Sequence, residues 1–344
     1  MVGRSGPVSE LQAAFKKALR GQRQIIFVAG EPGIGKTTLV DSFHQRASHE
    51  AKVRTARGQC VEGFGGKEPY YPMLDALGQL TRNPDSGDVV QTLARRAPTW
   101  LVQFPSLVKL EQREALQREI LGATRERMVR EICEALESLS SETPILLVFE
   151  DLHWVDPSSL DLISALARRR DEAKLMLVCT YRPVDMILSN SPLKSLKQDL
   201  QVHKLCVEIA LERLPEPAIA EYLATKFRQG SLPPGLANLI YRHSEGNPLF
   251  MVGIVQDMIK NGSIVRDDEE WKLTTPLETI DPGVPQSLQQ MLDVQFERLN
   301  APEQRVLEAG SVVGEHFSAW AIADALAETI DHIEDLCDER FVSK

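Results

Sequence analysis

The chain has 344 residues, 43% hydrophobic and 26% charged, a balance typical of a globular protein with more than one domain. Lys and Arg number 39 and Asp and Glu 49, so the net charge of −10 argues against a broadly basic surface for nucleic acids or membranes. The longest apolar runs are far shorter than a membrane span, and the N-terminus shows no secretory signal. Five scattered cysteines are typical of reduced thiols, so we expect a cytoplasmic protein.

Short apolar runs alternate with helical patterns over the first 210 residues. Near-continuous apolar runs predict strands buried on both faces of a parallel sheet, and an alternating run predicts an edge strand or a half-exposed strand. Buried strands are expected at 24–29, 53–58, 145–149 and 175–180, an edge strand at 202–209, and helices at 38–47 and 125–139. Strands separated by helices indicate right-handed βαβ crossovers and an α/β fold.

From about residue 211 the strand signal fades and short helices dominate. A small hairpin is expected at 261–273, and residues 274–285, with three prolines and a glycine, are the best linker candidate. Helices are expected at 217–227, 236–243, 249–260, 286–299, 302–310, 318–327 and 329–340. The predicted division of the chain is therefore 1–210, 211–283 and 284–344.

A glycine-rich loop carries the strongest motif in the chain. Residues 30–37 read Gly-Glu-Pro-Gly-Ile-Gly-Lys-Thr and match GxxxxGK[ST], between a predicted buried strand and a predicted helix. In such a loop the backbone N–H groups and the helix N-terminus bind phosphate, Lys36 reaches the β- and γ-phosphates, and the Thr37 hydroxyl is a Mg²⁺ ligand. The predicted phosphate-binding residues are Glu31, Pro32, Gly33, Ile34, Gly35, Lys36, Thr37 and Thr38.

Two carboxylates, Glu150 and Asp151, follow the predicted strand at 145–149. Ligands of open α/β sheets bind at that edge, where one carboxylate can hold Mg²⁺ and the other can polarise the attacking water. Asp usually comes first, whereas Glu150 comes first in this chain, so an exchange of the two roles stays open. We assign Glu150 to the metal, together with Thr37, and Asp151 to activation of the water.

Arg182 follows the predicted strand at 175–180. If that strand lies between the P-loop strand and the acidic strand, Arg182 points at the γ-phosphate and distinguishes ATP from ADP by a charge-assisted hydrogen bond. The alternative is an arginine in a surface turn. Asp156, which precedes a proline, is predicted to cap a helix. His153 and Trp154 either line the nucleotide site or pack in the core.

Together these motifs resemble a STAND-class P-loop ATPase, a branch related to AAA+ ATPases. This module is found in large ATP-binding LuxR-type transcription regulators and in cyclase-associated ATPases. The resemblance rests on residues 2–4, 30–37, 58–60, 68–72, 150–156, 180–183, 246–250 and 284–288. It implies a P-loop core at 1–210 with a parallel five-stranded sheet of order 5-1-4-3-2, a helical lid at 211–283 and a partial winged helix at 284–344.

The resemblance also implies ligands and partners. Val2, Gly3 and Arg4 are expected to wrap the adenine, and Pro248 of the lid is expected to pack over the base. ATP or ADP with Mg²⁺, slow hydrolysis and self-association in the ATP state are expected. Family members are usually longer, so we expect an excised or truncated module whose sensor region or protein partner lies outside this chain. The family generally lacks a clear arginine finger, and this sequence suggests none.

Residues 301–344 hold ten acidic and three basic residues, so direct DNA binding by this segment is not expected. We expect the segment to dock on the ATPase core and to favour the ADP-bound state. The predicted function is an ATP-binding and slowly hydrolysing signalling switch, closed with ADP and open with ATP. Two alternatives stay open: an AAA+ remodelling or DNA-loading ATPase, and a scaffold that binds nucleotide without turnover.

Overall fold

The chain forms two compact units, Met1–Glu212 and Arg213–Lys344. The computed structural model describes residues 1–61, 68–82, 87–108, 116, 118, 120, 122–188, 191–227, 235–267, 270–280, 289, 293, 296, 299–313 and 318–340. Within these ranges, no helix combines the length and apolar character that a membrane crossing needs. The three-part division predicted from the sequence stays a prediction.

A parallel five-stranded sheet organises the first unit, with the strands in the order β2-β3-β4-β1-β5. The predicted order 5-1-4-3-2 and the α/β class are therefore confirmed. The strands are β1 (Gln24–Ala29), β2 (Arg54–Gln59), β3 (Ile145–Glu150), β4 (Leu175–Tyr181) and β5 (Val207–Ala210). This order places β4 between β1 and β3, so their carboxyl ends lie side by side.

The central strands are buried on both faces because apolar residues occupy both sets of alternating positions. In β1, Ile25 and Phe27 belong to an apolar cluster on one face of the sheet. Ile26 and Val28 belong to the cluster on the other face. All seven residues of β4 are buried. These near-continuous apolar runs are the pattern that predicts the central strands to within a residue.

The edge strand is shorter than predicted. The sequence predicts a strand at 202–209, but β5 begins only at Val207. Val202 instead ends a helix and is 78% exposed, and a turn with Lys204 in the left-handed region follows it. The alternating pattern therefore came from the exposed end of a helix and a turn as well as from a strand. The prediction that β5 lies at an edge is confirmed.

Helices cover both faces of this sheet. Their apolar sides carry residues such as Leu39 and Phe43 on one face and Leu136 and Ile163 on the other. The helices are α1 (Ser5–Leu19), α2 (Lys36–Glu50), α3 (Tyr71–Arg82), α4 (Gly87–Arg96), α5 (Pro98–Leu101), α6 (Arg125–Glu142), α7 (Pro157–Arg168), α8 (Pro183–Leu188) and α9 (Leu193–Val202). Short 3₁₀ turns lie at Pro105–Leu107 and Leu152–Trp154. Both helices predicted in this region are present, each longer than expected.

The described part of the second unit is helical apart from one small hairpin. Its elements are α10 (Glu216–Lys226), α11 (Leu236–Ser244), α12 (Pro248–Lys260), β6 (Ile264–Asp267), β7 (Glu270–Leu273), a 3₁₀ turn (Leu277–Thr279), α13 (Ala301–Val313), α14 (Ala319–Leu326) and α15 (Ile330–Arg340). The antiparallel hairpin and these helices confirm the predicted elements. Residues 284–288 and most of the helix predicted at 286–299 lie outside the described residues. The winged helix therefore stays a prediction.

A tight turn joins α11 to α12 at Gly246-Asn247-Pro248. Gly246 has a φ of +76°, and a Cβ there would lie 2.2 Å from the carbonyl oxygen of Leu214, so only glycine fits. The Asn247 side chain accepts a hydrogen bond from the Leu249 N–H, and Pro248 occupies the first turn of α12. The Gly246-Asn247-Pro248 motif therefore forms the start of α12.

Candidate nucleotide-binding site

The P-loop joins the carboxyl end of β1 to the first residue of α2, as the motif requires. Gly35 lies in the left-handed region with φ +95°. At Gly30 a Cβ would lie 2.6 Å from Cγ2 of Ile34, a buried residue of the same loop. Glycine at both positions lets the backbone curl tightly enough to direct successive N–H groups to one anion. The predicted strand–loop–helix context is confirmed.

Lys36 and the two threonines that follow it differ in exposure. Thr37 and Thr38 are exposed at the start of α2, whereas Lys36 is buried. The Lys36 ammonium donates hydrogen bonds to the carbonyl oxygens of Gly30 and Glu31, at 2.8 and 2.9 Å. Burial and then the positive charge of Arg182 lower the pKa of Lys36 to about 8. Lys36 and Arg182 therefore place two positive charges near each other at the carboxyl edge of the sheet.

Glu150 lies directly beside Thr37. The Thr37 hydroxyl donates to Oε2 of Glu150 at 3.2 Å, although the two residues are 113 positions apart. A hydroxyl and a carboxylate are hard oxygen donors, which suit Mg²⁺, and a site of this kind leaves the other ligands to phosphate and water. The residues present therefore fit the metal that the P-loop motif implies.

The second oxygen of Glu150 faces a cation that the sequence analysis missed. Arg57 of β2 places Nη1 3.4 Å from Oε1 of Glu150, and its Nη2 pairs with Asp41 of α2. β2 pairs with β3 so that Gln59 lies opposite Glu150, and Arg57 is two residues earlier. The sequence shows only an arginine inside a predicted strand. Its pairing with Glu150 could not be predicted without knowing that β2 lies beside β3.

Asp151 has a strained backbone and a different environment from Glu150. Its φ is +56°, in the left-handed region that few non-glycine residues adopt. Its N–H donates to the hydroxyl of buried Thr180 in β4, at 3.1 Å, and this contact stabilises the unusual conformation. The charge of Asp151 also raises the pKa of Lys36, against the effect of burial. Strain of this kind is found where a side chain must be aimed at a functional site.

Arg182 emerges next to the P-loop because β4 adjoins β1. The Gly30 N–H donates to the Tyr181 carbonyl at 3.3 Å, and Arg182 is the next residue. Its Nη1 lies 3.3 Å from Oδ2 of Asp185, and its guanidinium carbon is 5.5 Å from the centre of the Trp154 ring. The strand order that the sequence analysis set as the condition for an arginine near the γ-phosphate is present.

His153 packs in the core beside this arginine. It is 3% exposed, its ring centroid is 4.4 Å from that of Trp154, and its Nε2 lies 3.4 Å from Oδ2 of Asp185. Burial, followed by the charges of Arg182 and Lys36, lowers its pKa to about 3, so the imidazole is neutral at ordinary pH. Trp154 is half-buried. His153 and Trp154 therefore pack against each other and also lie beside Arg182 and Asp185.

Asp156 is a helix cap. Its carboxylate accepts from the Ser159 N–H at 2.9 Å and from the Tyr70 N–H at 3.0 Å, and the side chain is buried. The predicted N-cap of α7 is therefore confirmed, and the contact with Tyr70 adds a link across 86 residues. These hydrogen bonds give the Asp156 carboxylate a structural role.

Arg4 ties the N-terminus to the P-loop. Its guanidinium donates to the carbonyl oxygen of Ile34 at 2.9 Å and to that of Glu212 at 2.6 Å. Arg4 is buried, whereas Val2 is half-buried and Gly3 is exposed with φ +62°. The structure therefore brings residues 2–4 beside the loop, while their contact with adenine stays a prediction. Pro248 belongs to the second unit, and its contact with the base also stays a prediction.

A comparison with protein families identifies the first half of the chain. The model described as AAA ATPase domain matches residues 1–178. An uncharacterized protein of Rhizobium meliloti (strain 1021) is 24% identical over 326 residues, which cover 91% of this chain and 30% of that protein. The chain thus spans less than a third of the length of this curated relative.

The chain is also similar to solved structures of low sequence identity. Cdc6p from Pyrobaculum aerophilum shares 14% identity with a TM-score of 0.49, over 98% of this chain and 80% of that one. A Signal Transduction ATPase with Numerous Domains (STAND) protein with a tetratricopeptide repeat sensor from Pyrococcus horikoshii shares 14% with a TM-score of 0.43, over 99% and 39%. RuvB from Thermotoga maritima shares 13% with a TM-score of 0.41, over 98% and 87%.

Proposed function

The chain belongs to the AAA ATPase domain family, and on that basis we propose that it binds ATP with Mg²⁺, hydrolyses it slowly and acts as a nucleotide-operated switch. The observation that carries this proposal is the meeting of three strand ends. β1 brings the P-loop lysine, β3 the acidic pair and β4 the arginine, at one edge of the sheet. Such an edge is where ligands of α/β sheets bind.

In this proposal the P-loop holds the phosphates. Backbone N–H groups of Gly33 and residues 35–37, at the N-terminus of α2, bind the β-phosphate, and Lys36 moves from the carbonyl oxygens of Gly30 and Glu31 to the β- and γ-phosphates. Thr37 and Glu150 would hold Mg²⁺. The metal, when bound, neutralises charge on the β- and γ-phosphate oxygens.

Asp151 is the residue we propose for orienting and polarising the attacking water. The hydrogen bond between Thr37 and Glu150 favours Glu150 as the metal-side carboxylate, which leaves Asp151 for the water. Asp151 also departs from the extended backbone of β3, because its φ is +56° directly after Glu150. Arg182, at the end of β4, is the residue we propose for contacting the γ-phosphate and thus for distinguishing ATP from ADP.

We propose that the two nucleotides favour different states of a signalling protein, closed with ADP and open and self-associating with ATP. A ligand shifts such an equilibrium only by its difference in affinity for the two states, so a group that senses the γ-phosphate is essential. Hydrolysis then resets the switch. A regulator such as a transcription factor or a cyclase-linked protein is the kind of protein in which we expect this module.

Replacing Lys36 tests the nucleotide site. Lys36→Ala should weaken MgATP binding by at least about 2 kcal/mol, or about thirtyfold, because a charge-assisted phosphate contact is lost. Titration calorimetry measures the affinity. The control is Lys17→Ala, which removes an exposed lysine of α1 and should leave the affinity unchanged. Equal affinities of Lys36→Ala and the unaltered chain would overturn the site.

One observation favours a second candidate, a scaffold that binds nucleotide without turnover. Arg57 faces the carboxylate that we assign to the metal, and a cation there opposes binding of Mg²⁺ by Coulomb repulsion. Phosphate release measured in excess Mg²⁺ separates the two functions. ATP that stays bound and intact through a long incubation supports the scaffold, and steady release of phosphate supports the switch.

A further inference from the structure

We propose that Asp185 sets the relative affinity of the site for ATP and ADP, because it competes with the γ-phosphate for Arg182. This inference rests on the proposed function and adds a residue to it. Asp185 is a positioning residue in this proposal, since it acts through Arg182 and does not touch the nucleotide.

The geometry places Asp185 on the arginine that we assign to the γ-phosphate. Asp185 lies in the first turn of α8, three residues after Arg182, and its Oδ2 is 3.3 Å from Nη1 of the guanidinium. The side chains are 33% and 26% exposed, so water only partly screens the ion pair. The same oxygen lies 3.4 Å from Nε2 of buried His153.

Asp185 contacts Arg182 directly and influences Lys36 through its charge. The charge of Arg182 lowers the pKa of Lys36, and the charges of Asp151 and then Asp185 raise it. Of the two cations assigned to the phosphate, Arg182 is therefore the one that Asp185 pairs with. His153 is neutral at ordinary pH, so the imidazole does not cancel the charge of the carboxylate.

The aromatic ring beside Arg182 allows an exchange of partners. The guanidinium carbon lies 5.5 Å from the centre of the Trp154 ring, a distance typical of a cation–π contact. That contact does not depend on which anion the guanidinium binds. Arg182 can therefore remain over Trp154 while its hydrogen bonds move from Asp185 to a phosphate oxygen.

The two nucleotides place different demands on this ion pair. ATP must draw Arg182 away from Asp185 to gain its contact with the γ-phosphate, and this cost lowers the affinity for ATP. ADP has no γ-phosphate, so the Arg182–Asp185 pair is retained and the affinity for ADP is unaffected. Asp185 thus biases the equilibrium towards the ADP state by reducing the differential affinity on which the switch depends.

The test is Asp185→Asn, which keeps the shape of the side chain and removes its charge. Dissociation constants for ADP and for a non-hydrolysable ATP analogue are measured with Mg²⁺. We expect affinity for the analogue to rise about threefold to tenfold and affinity for ADP to stay within about twofold, as the loss of a partly screened competing ion pair predicts. The matched control is Asp199→Asn, which removes an aspartate that pairs with Arg168 between α9 and α7. It should change neither constant.

A double-mutant cycle with Arg182→Ala assigns the effect to Arg182. In the Arg182→Ala background, Asp185→Asn should no longer change the ratio of the two affinities. The role of Asp185 would be overturned if Asp185→Asn left the ratio of ATP-analogue to ADP affinity unchanged, or if it changed that ratio equally in the absence of Arg182. Either result would leave the proposed function intact. Failure of the unaltered chain to bind either nucleotide would overturn the proposed function as well. Asp185→Ser gives a second variant should the asparagine lower the melting temperature.

Discussion

The strand ends of the first unit and the C-terminal helices of the second differ in how they bury apolar side chains. β1, β3 and β4 are enclosed on both faces, with Ile26 and Phe27 fully buried. In the described part of α13–α15 the buried cluster consists of Val306, Ile322, Ala323 and Ile333. Trp320 of α14 is 62% exposed, and Val312 of α13 is 88% exposed.

This difference bears on an expectation from the sequence. The apolar residues of 302–344 were expected to need the ATPase core, since the segment was not expected to enclose all of them by itself. Val306 and Ile322 are buried among the C-terminal helices, whereas Leu307 is half-buried and Trp320 is exposed, so docking on the ATPase core stays a prediction. Phe317 lies outside the described residues. The candidate site is thus built on a rigid sheet, while the C-terminal helices have a small core, as expected for a region of lower local stability.

The largest expected effect is on the free energy of unfolding, and it tests the difference between the sheet and the C-terminal helices. Ile26→Ala should destabilise the sheet by about 3–5 kcal/mol, because its well-packed surroundings cannot collapse into the cavity. Ile322→Ala, at an equally buried position, should cost about 2 kcal/mol or less, because the small cluster around it can readjust. Native-state hydrogen exchange measures the free energy of opening in each region. Equal costs at the two positions would remove the distinction between the regions.

Much of the sheet was predictable because burial leaves a pattern in the residues themselves. β1 was predicted with its observed bounds, and β3 and β4 each proved one residue longer. These strands have apolar residues on both faces, so the signal does not depend on what packs against them. β5 has no such signal, and the last residue of α9 and the turn after it were mistaken for its first half. Local alternation does not distinguish a half-buried strand from an exposed helix end.

The candidate site was predictable where its chemistry lies in one stretch of chain. The P-loop, the acidic pair and Arg182 each follow a strand, and a parallel sheet brings strand ends together. Arg57, Thr180 and Asp185 were missed, because their roles come from contacts that the strand order and the start of α8 create. An arginine in a strand, or an aspartate three residues after an arginine, is too common to indicate a site by itself.

The next largest effect is on the reaction and concerns the two carboxylates. Asp151→Asn should slow hydrolysis about a hundredfold or more, with little change in ATP affinity, since a group that orients and polarises water acts mainly in the transition state. Glu150→Gln should instead raise the Mg²⁺ concentration needed for half-maximal turnover. Phosphate release as a function of Mg²⁺ measures both. Glu308→Gln removes an exposed carboxylate of α13 and should change neither quantity.

The reverse pattern would exchange the two assignments. If Asp151→Asn raised the Mg²⁺ requirement and Glu150→Gln abolished turnover, Asp151 would be the metal ligand in spite of the contact between Thr37 and Glu150. An effect of Glu308→Gln as large as either would place part of the reaction's control in the C-terminal helices. The contrast between the two regions would then be broken.

The smallest expected effect is a dependence of ATP affinity on pH, which follows from the burial of Lys36. Its pKa is lowered to about 8 from an ordinary value of 10.5, first by burial and then by Arg182. ATP binds the protonated lysine, so affinity should be constant well below pH 8 and fall above it, by up to about tenfold for each further pH unit. Titration calorimetry between about pH 6.5 and about pH 9.5 measures the curve.

The sign is opposite for stability without nucleotide, and this separates the two effects. Between about pH 8 and its ordinary pKa of 10.5, Lys36 binds more protons in the unfolded chain than in the folded one. Its contribution therefore makes the folded protein more stable as the pH rises through that window. Lys36→Ala should abolish both this rise and the decline in ATP affinity. A decline that survives in Lys36→Ala would mean that another group controls the pH dependence, and the buried lysine would then have no part in it.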